Sequence, residues 1–282
     1  MRDTLRFPFI WTTLLAKRLT IPAFLLVLAS CASPNGLWSS GRWVDLTHSF
    51  SDKTVYWPTS LPFHLEPVFV GTTEKGFHYE AYQFQAAEHG GTHLDAPSHF
   101  FERGLPVDWV PLERLTGPAV LVDVSSKATT NPDYQVSRDD FAAWEKDHGR
   151  IPEQAIVLLR TGYDRFWPDP LRYLGTAERG EAAVAKLRFP GLAPDAARWL
   201  AEQRRVKAVG LDTASIDYGR STHFETHRIL AEKGIPIFEN LARLGELPAT
   251  GAAVVALPMK IEGGSGAPLR IIAWIPKQGD ER

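Results

Sequence analysis

Cysteine is nearly absent from this sequence, which contains only Cys31 among its 282 residues. A single cysteine excludes an intramolecular disulfide framework, a CxxC zinc knuckle and a dithiol redox pair. An excess of positive charge is also missing, because 31 Lys and Arg residues are balanced by 33 Asp and Glu residues. Proteins that hold nucleic acid electrostatically normally carry a basic excess or a basic stripe. The sequence therefore predicts no nucleic-acid partner and a chemistry that does not use thiols.

The composition is that of a folded protein. Hydrophobic residues make up 44% of the chain and charged residues 23%, which is typical of globular domains. The length predicts one large domain or two small ones.

The N-terminal apolar run is too short to cross a membrane. Residues 19–30, LTIPAFLLVLAS, follow two basic residues, and about 12 residues cannot span a hydrocarbon core of ~30 Å as a helix. A positive flank, a short apolar stretch and small residues at its end predict a secretory signal over residues 1–30.

The sole cysteine directly follows this run, in a context that resembles the bacterial lipoprotein box, where the cysteine is acylated. The alternative is a free buried cysteine in a core helix. Residues 31–41 then predict a flexible tether, and residues 42–282 the catalytic domain. On this interpretation the protein is exported, lies on the periplasmic side, and contacts the membrane only through a lipid anchor on Cys31.

Helical patterns are few in the rest of the chain. Ser137 and Asp140 form a pair like a capping box, and Pro194 is placed as in a first helical turn. A third helix is predicted over about 224–233, ending at Gly234. Short β-rich runs bounded by turn residues are more numerous: WVDLT, HLEPVFV, YEAYQFQAA, PAVLVDV, AIVLLR, KAVGLD, AAVVALP and RIIAWI. This mixed order favours an α/β or α+β domain centred on a sheet.

One segment concentrates side chains suited to metal binding. Residues 89–99 read HGGTHLDAPSH, and their even spacing would place four such side chains on one face of an extended chain. Two glycines and a proline disfavour a helix, so the two histidines four residues apart are not those of a zincin helix. A fully extended run would separate the outer histidines by roughly 33 Å, so the chain must bend at these glycines and this proline. The four candidates are His89, His93, Asp95 and His99.

Imidazole nitrogens mixed with a carboxylate suit Zn²⁺, Mn²⁺, Fe²⁺ or Ni²⁺, whereas Ca²⁺ and Mg²⁺ prefer oxygen ligands. The alternative is a set of unrelated surface or core histidines. A second pair, His227 near the start of a helix and Glu239 at the end of an apolar strand, can reach the same pocket. The helix rises about 10 Å from His227 to Gly234, and the strand can return about 16 Å. Ordinary helix-start and strand-end roles are the alternative for this pair.

The eleven-residue run resembles the signature HxGTHxDxPxH of the cyclase family of metal-dependent hydrolases, which includes bacterial kynurenine formamidase (arylformamidase) and isatin hydrolase. Every fixed position of that signature is present. The resemblance covers about 42–276 and extends to WVDLTHSFSDKTVYWP, GLDTASIDYG, THRILAEKGIPIFENL and LPMKIEGGSGAPLR. It implies a swivelling β/β/α-type single domain with a mixed, barrel-like sheet and flanking helices, assembled as a homodimer or higher homo-oligomer.

The resemblance also implies a ligand set. By position, one metal would be held by His89, His93 and Asp95, and a second by Asp95, His99, His227 and Glu239, with Asp95 able to bridge. The extra carboxylate of Glu239 favours two Zn²⁺ ions per chain, as in the formamidase type, with Mn²⁺ as the alternative.

The implied activity is hydrolysis of a linear or cyclic amide C–N bond by metal-activated water. Its most specific form is arylformamidase activity, which converts N-formyl-L-kynurenine to L-kynurenine and formate in tryptophan catabolism. Asp95 and His99 are the candidate catalytic residues, with His99 as proton shuttle. Asp212 and Asp217 are candidates for orienting histidines, or else ordinary strand-end and turn residues.

Aromatic residues near these ligands are candidates for binding an aryl substrate. They are Tyr56, Trp57 and Phe100, together with Phe101, and packing in the core is the alternative for each. The glycine-rich stretch 263–267, GGSGA, predicts a turn, because the Lys-Ser/Thr pair of a phosphate cradle does not follow it.

Other functions stay open at this point. The enzyme could open an isatin-like lactam or hydrolyse a lactone or an ester. A protein of a different class, an exported lipoprotein that binds a metal or ligand without turnover, is the remaining hypothesis.

Overall fold

A computed structural model describes residues 40–277 of the chain. The predicted signal segment, the lipidation site Cys31 and most of the predicted tether lie outside these residues. Within the described part of the chain, every helix is too short or too polar to cross a membrane.

The strands of the described region match the β-rich runs of the sequence and the apolar strand predicted to end at Glu239, which is β10, with β4, β6 and β8 in addition. They are β1 Gly41–Asp45, β2 His64–Thr72, β3 His78–Gln85, β4 His93–Asp95, β5 Thr116–Asp123, β6 Gln135–Val136, β7 Ile156–Arg160, β8 Gly191–Leu192, β9 Ala208–Leu211, β10 Ile237–Glu239, β11 Ala252–Pro258 and β12 Gly266–Pro276.

The α-helices are α1 Leu112–Leu115, α2 Ser125–Thr130, α3 Arg138–His148, α4 Pro170–Leu174, α5 Glu181–Val184, α6 Pro194–Trp199 and α7 Glu225–Glu232. A π-helical turn, Leu200–Arg204, continues α6. Four 3₁₀ turns complete the set: Pro97–His99, Val107–Trp109, Tyr163–Phe166 and Leu244–Glu246.

A mixed sheet closes into a seven-stranded barrel in the order β12-β11-β5-β7-β9-β10-β4, with β4 pairing back to β12. The central strands β5, β7, β9 and β10 run parallel, whereas β4, β11 and β12 join through antiparallel pairs. Strand β1 adds to β12 at the end remote from β4. The predicted barrel-like mixed sheet with flanking helices is therefore confirmed.

The central strands are apolar on both faces because both faces are covered. Ile156 and Leu158 of β7 belong to one buried cluster, whereas the alternating Val157 and Leu159 belong to a second, which includes Phe141 of α3 and residues of α6. Burying one such side chain contributes roughly 1.5–3 kcal/mol. The two faces of the sheet thus belong to two buried clusters, and a displacement of its central strands would disrupt both.

Helix ends follow the predicted capping chemistry. The backbone N–H of Ser137 donates to Asp140 Oδ2 at 2.8 Å at the start of α3, as in a capping box. Gly234, after α7, has φ of 66°, the left-handed conformation that glycine adopts without strain. Gly234 thus ends α7, the helix that carries His227, one of the candidate ligands.

Candidate metal centre

The histidine-rich run bends at its two glycines. Gly91 has φ of 59°, and a Cβ on Gly90 would lie 2.1 Å from an atom of a neighbouring tyrosine ring. The chain then enters β4, where His93 and Asp95 share one face, and a 3₁₀ turn at Pro97–His99 follows. The run is extended over only three residues, so bends rather than one continuous face bring its ligands together.

Strand pairing places Glu239 beside the run. β10 pairs antiparallel with β4, with Glu239 opposite His93, and Glu239 Oε2 lies 3.6 Å from His93 Nε2. The first turn of α7 brings His227 to the same point, with its Nε2 3.1 Å from Asp95 Oδ2 and 3.2 Å from Glu239 Oε1. All six predicted ligands therefore meet in one place.

Their atoms form two groups that share Asp95. Within each group, one ligand atom per residue lies within 4.8 Å of the others; the groups are His89, Asp95 and His99, and His93, Asp95 and Glu239. The grouping differs from the partition implied by the resemblance, because His89 lies beside His99 rather than with His93. The reason is the bend, which stacks the His89 and His99 rings at 3.7 Å.

Two histidines are oriented through the nitrogen that faces away from Asp95 and Glu239. His93 Nδ1 lies 2.9 Å from the Gly91 carbonyl oxygen, and His227 Nδ1 lies 2.6 Å from Asp217 Oδ2. If these nitrogens carry the protons, Nε2 of each ring is free to bind a cation. Asp217 thus takes the orienting position predicted for it.

Asp212 has a different role. Its Oδ1 accepts hydrogen bonds from Thr161 N–H and Oγ–H, and its Oδ2 accepts one from Gly162 N–H. The hypothesis that it orients a histidine is wrong, and its strand-end alternative is the observed role.

The buried charged groups of the site shift one another's pKa. Burial by itself would lower the pKa of His93, but Asp95 and Glu239 raise it to about 9. Burial also opposes the charge on His227, yet hydrogen bonds to Asp217, Asp95 and Glu239 raise its pKa well above the usual value. His93 and His227 therefore hold protons that neutralise Asp95 and Glu239, and a divalent cation would take the place of such protons.

His99 lacks this compensation. Burial lowers the pKa of His99 to about 4, and its ring packs between His89 and Phe100, with centroids 3.7 Å and 4.4 Å away. A neutral imidazole at this position can either bind a cation or accept a proton.

A pocket of about 270 Å³ opens onto these groups. Of the aromatic residues predicted as substrate contacts, Tyr56, Trp57 and Phe100 line it, whereas Phe101 does not. Phe101 instead lies under the Arg103 guanidinium, 5.5 Å from its ring centroid, so its prediction as a pocket wall is wrong. Residues that the sequence did not single out also line the pocket: Val55, Ser60, Ala214, Ser215, Phe224 and Asn240.

Four imidazoles and two carboxylates in one cluster, with His93, Asp95, His227 and Glu239 buried and His89 and His99 half-buried, fit a divalent cation that accepts mixed nitrogen and oxygen ligands. Buried charges of this kind have to be paired or bound to a metal. The residues present therefore fit the metal that the sequence implies.

Comparisons with known proteins identify the family. The Cyclase family profile matches residues 44–218. The chain is 33% identical to isatin hydrolase of Roseibium aggregatum over 67% of this chain and 73% of that protein. It is 30% identical to kynurenine formamidase of Paracidovorax citrulli over 78% and 96% of the respective chains. Among solved structures, isatin hydrolase A from Labrenzia aggregata superposes with a TM-score of 0.75 at 34% identity, covering 84% of this chain and 94% of the other. The chain therefore belongs to the Cyclase family, as one of its metal-dependent hydrolases.

Proposed function

We propose that this protein hydrolyses the C–N bond of an aryl amide, and that N-formyl-L-kynurenine is its most specific candidate substrate. The observation that carries the proposal is the meeting of His227 and Glu239 with the ligands of the histidine-rich run. Glu239 completes one of two groups of ligand atoms that share Asp95, His227 lies beside both carboxylates, and the extra carboxylate of Glu239 is the feature that the resemblance associates with the formamidase type. The match to a kynurenine formamidase over nearly all of its length supports the same choice.

We infer two Zn²⁺ ions per chain, with Mn²⁺ as the alternative. The residues that would hold them are those of the two groups, with His227 beside both Asp95 and Glu239. A divalent cation in such a site lowers the pKa of bound water and polarises the carbonyl under attack.

The chain's own residues supply the remaining chemistry. Hydrolysis adds the oxygen of water to the carbonyl carbon, breaks the C–N bond, and needs a proton on the departing nitrogen. His99 borders the pocket, and burial lowers its pKa to about 4. Where His99 is not engaged as a ligand, its neutral imidazole can take the proton of the water and return it to that nitrogen.

The pocket walls favour a substrate with one aromatic ring. The Phe224 ring lies 5.3 Å from Phe100 and 6.2 Å from Trp57, measured between centroids. At these separations the Phe224 ring contacts the other two, and the three rings form a continuous aromatic surface against which a planar ring can pack. A volume of about 270 Å³ lies near the lower end of ligand pockets, which suits a small aryl amide.

A second candidate is an isatin-like lactam, for which the 33–34% identity with isatin hydrolases is the supporting observation. A lactone or an ester would be hydrolysed by the same chemistry. A binding-only lipoprotein gains no support from relatives that carry the names of hydrolases.

The test combines metal analysis with substrate profiling of the purified full-length chain. Zinc and manganese per chain are measured by elemental mass spectrometry. Hydrolysis of N-formylkynurenine, isatin and phenyl acetate is then followed before chelation, after chelation, and after return of each metal. We expect kcat/KM to be highest for N-formylkynurenine, to vanish on chelation and to recover with Zn²⁺.

Matched variants connect activity to the site. His227→Gln should bind zinc measurably but more weakly and should lose activity, whereas His148→Gln, which changes an exposed histidine on α3, should keep the wild-type affinity and activity. A higher kcat/KM for isatin than for N-formylkynurenine would replace the proposed formamidase activity by hydrolysis of a lactam. A chain that binds no metal and hydrolyses none of the three substrates would refute the proposed function.

A further inference from the structure

His89 makes a side-chain contact on the side of its ring that faces away from Asp95. Its Nδ1 lies 2.6 Å from Asp95 Oδ1, and its Nε2 lies 2.8 Å from Ser265 Oγ. The Ser265 hydroxyl donates in turn to Glu88 Oε2 at 2.8 Å, and the Ser265 backbone N–H donates to the same oxygen at 3.1 Å. A chain of contacts thus runs from Asp95 through His89 and Ser265 to Glu88.

The directions of these hydrogen bonds determine where the His89 proton lies. A hydroxyl has one proton, and the carboxylate of Glu88 accepts the one on Ser265. The oxygen of Ser265 then has a lone pair to accept the Nε2–H of His89. Nδ1 of His89 then faces Asp95, and a bound cation would take the place of the proton in their contact. His93 and His227 are oriented the opposite way and face the site with Nε2.

The glycine-rich stretch around Ser265 is shaped for this arrangement. A Cβ on Gly264 would lie 2.8 Å from Glu88 Oε1, and a Cβ on Gly266 would lie 2.5 Å from Cε1 of the His89 ring. Gly266 also pairs with Asp95 in the β12–β4 ladder. The stretch that the sequence predicts as a turn is therefore a wall of the metal centre, and its glycines make room for a histidine and a glutamate.

We propose that Glu88 and Ser265 are positioning residues that hold the proton of His89 on Nε2 and so present Nδ1 to the metal. This inference rests on the proposed metal-dependent function. Outer hydrogen-bond partners of this kind typically contribute 10–100-fold to metal affinity, and neither residue has to touch the substrate for that effect.

The first test is nuclear magnetic resonance of protein labelled with nitrogen-15 histidine. In metal-free wild-type protein, the Nε2–H of His89 should give a slowly exchanging signal, identified by its loss in His89→Gln. Ser265→Ala should lose that signal or exchange it rapidly, and in zinc-loaded wild-type protein the metal should be on Nδ1 of His89.

The second test is zinc affinity by competition with a chromogenic chelator. Ser265→Ala and Glu88→Gln should each weaken binding by about 10–100-fold, while Ser265→Thr, which keeps the hydroxyl, should restore most of it. Glu181→Gln changes an exposed glutamate at the start of α5 and should leave the affinity unchanged.

The two tests separate this inference from the proposed function. Zinc on Nε2 of His89, no protected Nε2–H in the wild-type protein, or full zinc affinity in both Ser265→Ala and Glu88→Gln would overturn the positioning role. Failure of the wild-type protein to bind zinc or hydrolyse amides would instead overturn the function, and the metal-free spectra would still decide whether Ser265 holds the His89 proton.

Discussion

Replacing Asp217 by asparagine should weaken metal binding through His227 while leaving the fold in place. Asp217 Oδ2 lies 2.6 Å from His227 Nδ1 and accepts the His227 backbone N–H at 3.1 Å, while its Oδ1 accepts the Thr226 N–H at 3.1 Å. Burial opposes ionisation of Asp217, but the hydrogen bond and charge of His227 hold its pKa below the usual value. The contact is thus a charge-assisted hydrogen bond at the start of α7.

The expected magnitude follows from what asparagine can and cannot replace. Its amide oxygen can still accept the Thr226 N–H, so the cap of α7 is partly retained. Its NH₂ group would face the two donors of His227, so the charge-assisted bond, typically about 1.5–3 kcal/mol, is lost. A 10–100-fold loss of zinc affinity corresponds to about 1.4–2.7 kcal/mol, which overlaps most of that range.

The assay is a chelator competition for Zn²⁺, paired with thermal unfolding of the metal-free protein. Asp195→Asn, the same change at an exposed position in the first turn of α6, is the control. If Asp217 acts through His227, its substitution should cost little further affinity in a His227→Gln background. Unchanged zinc affinity in a folded Asp217→Asn protein, or an equal loss in the His227→Gln background, would refute this reasoning.

Three other outcomes are expected. Burial lowers the pKa of His48 from 6.5 to about 4, so its contribution to the free energy of unfolding is present above pH ~6.5 and is lost as pH falls towards 4, by about 2 kcal/mol at pH 5. Urea unfolding at pH 7 and pH 5 should show a smaller loss of stability on acidification in His48→Phe than in the wild-type protein, and an equal loss would contradict this. Tyr82 and Phe84 lie on one face of the β2–β3 hairpin and are 49% and 53% exposed, and we expect this apolar surface to be buried against a second copy of the chain. Sedimentation should show a homodimer or larger oligomer that Phe84→Glu dissociates, whereas a monomeric wild-type protein would exclude this role. Intact-mass analysis of membrane-extracted protein should find a diacylated Cys31 at the N-terminus, and a soluble form that keeps residues 1–30 would contradict the lipid anchor.

Local chemistry accounts for what could be predicted from the sequence. The apolar strands are visible because burial on both faces selects continuous runs such as AIVLLR, and the ends of α3 and α7 are visible because caps involve residues within one turn. The types of metal ligand are equally local, since an imidazole or carboxylate offers the same donor atoms in any fold. The spacing of the histidine-rich run identified four of the six residues now found together.

The sequence by itself thus determined the longer strands, the ends of α3 and α7, the donor atoms and the family, and the tertiary structure alone decided which donors meet. His93 faces Glu239 because β4 pairs with β10, and Ser265 reaches His89 because β12 closes the barrel on β4. It also decided that His99 groups with His89 and that Phe224, not Phe101, lines the pocket. Asp212 likewise accepts hydrogen bonds from Thr161 and Gly162 instead of orienting a histidine. These contacts join residues far apart in the chain, and the register of the strands that carry them depends on how the whole barrel packs. Helix and strand propensities and donor chemistry depend only on neighbours within a few residues.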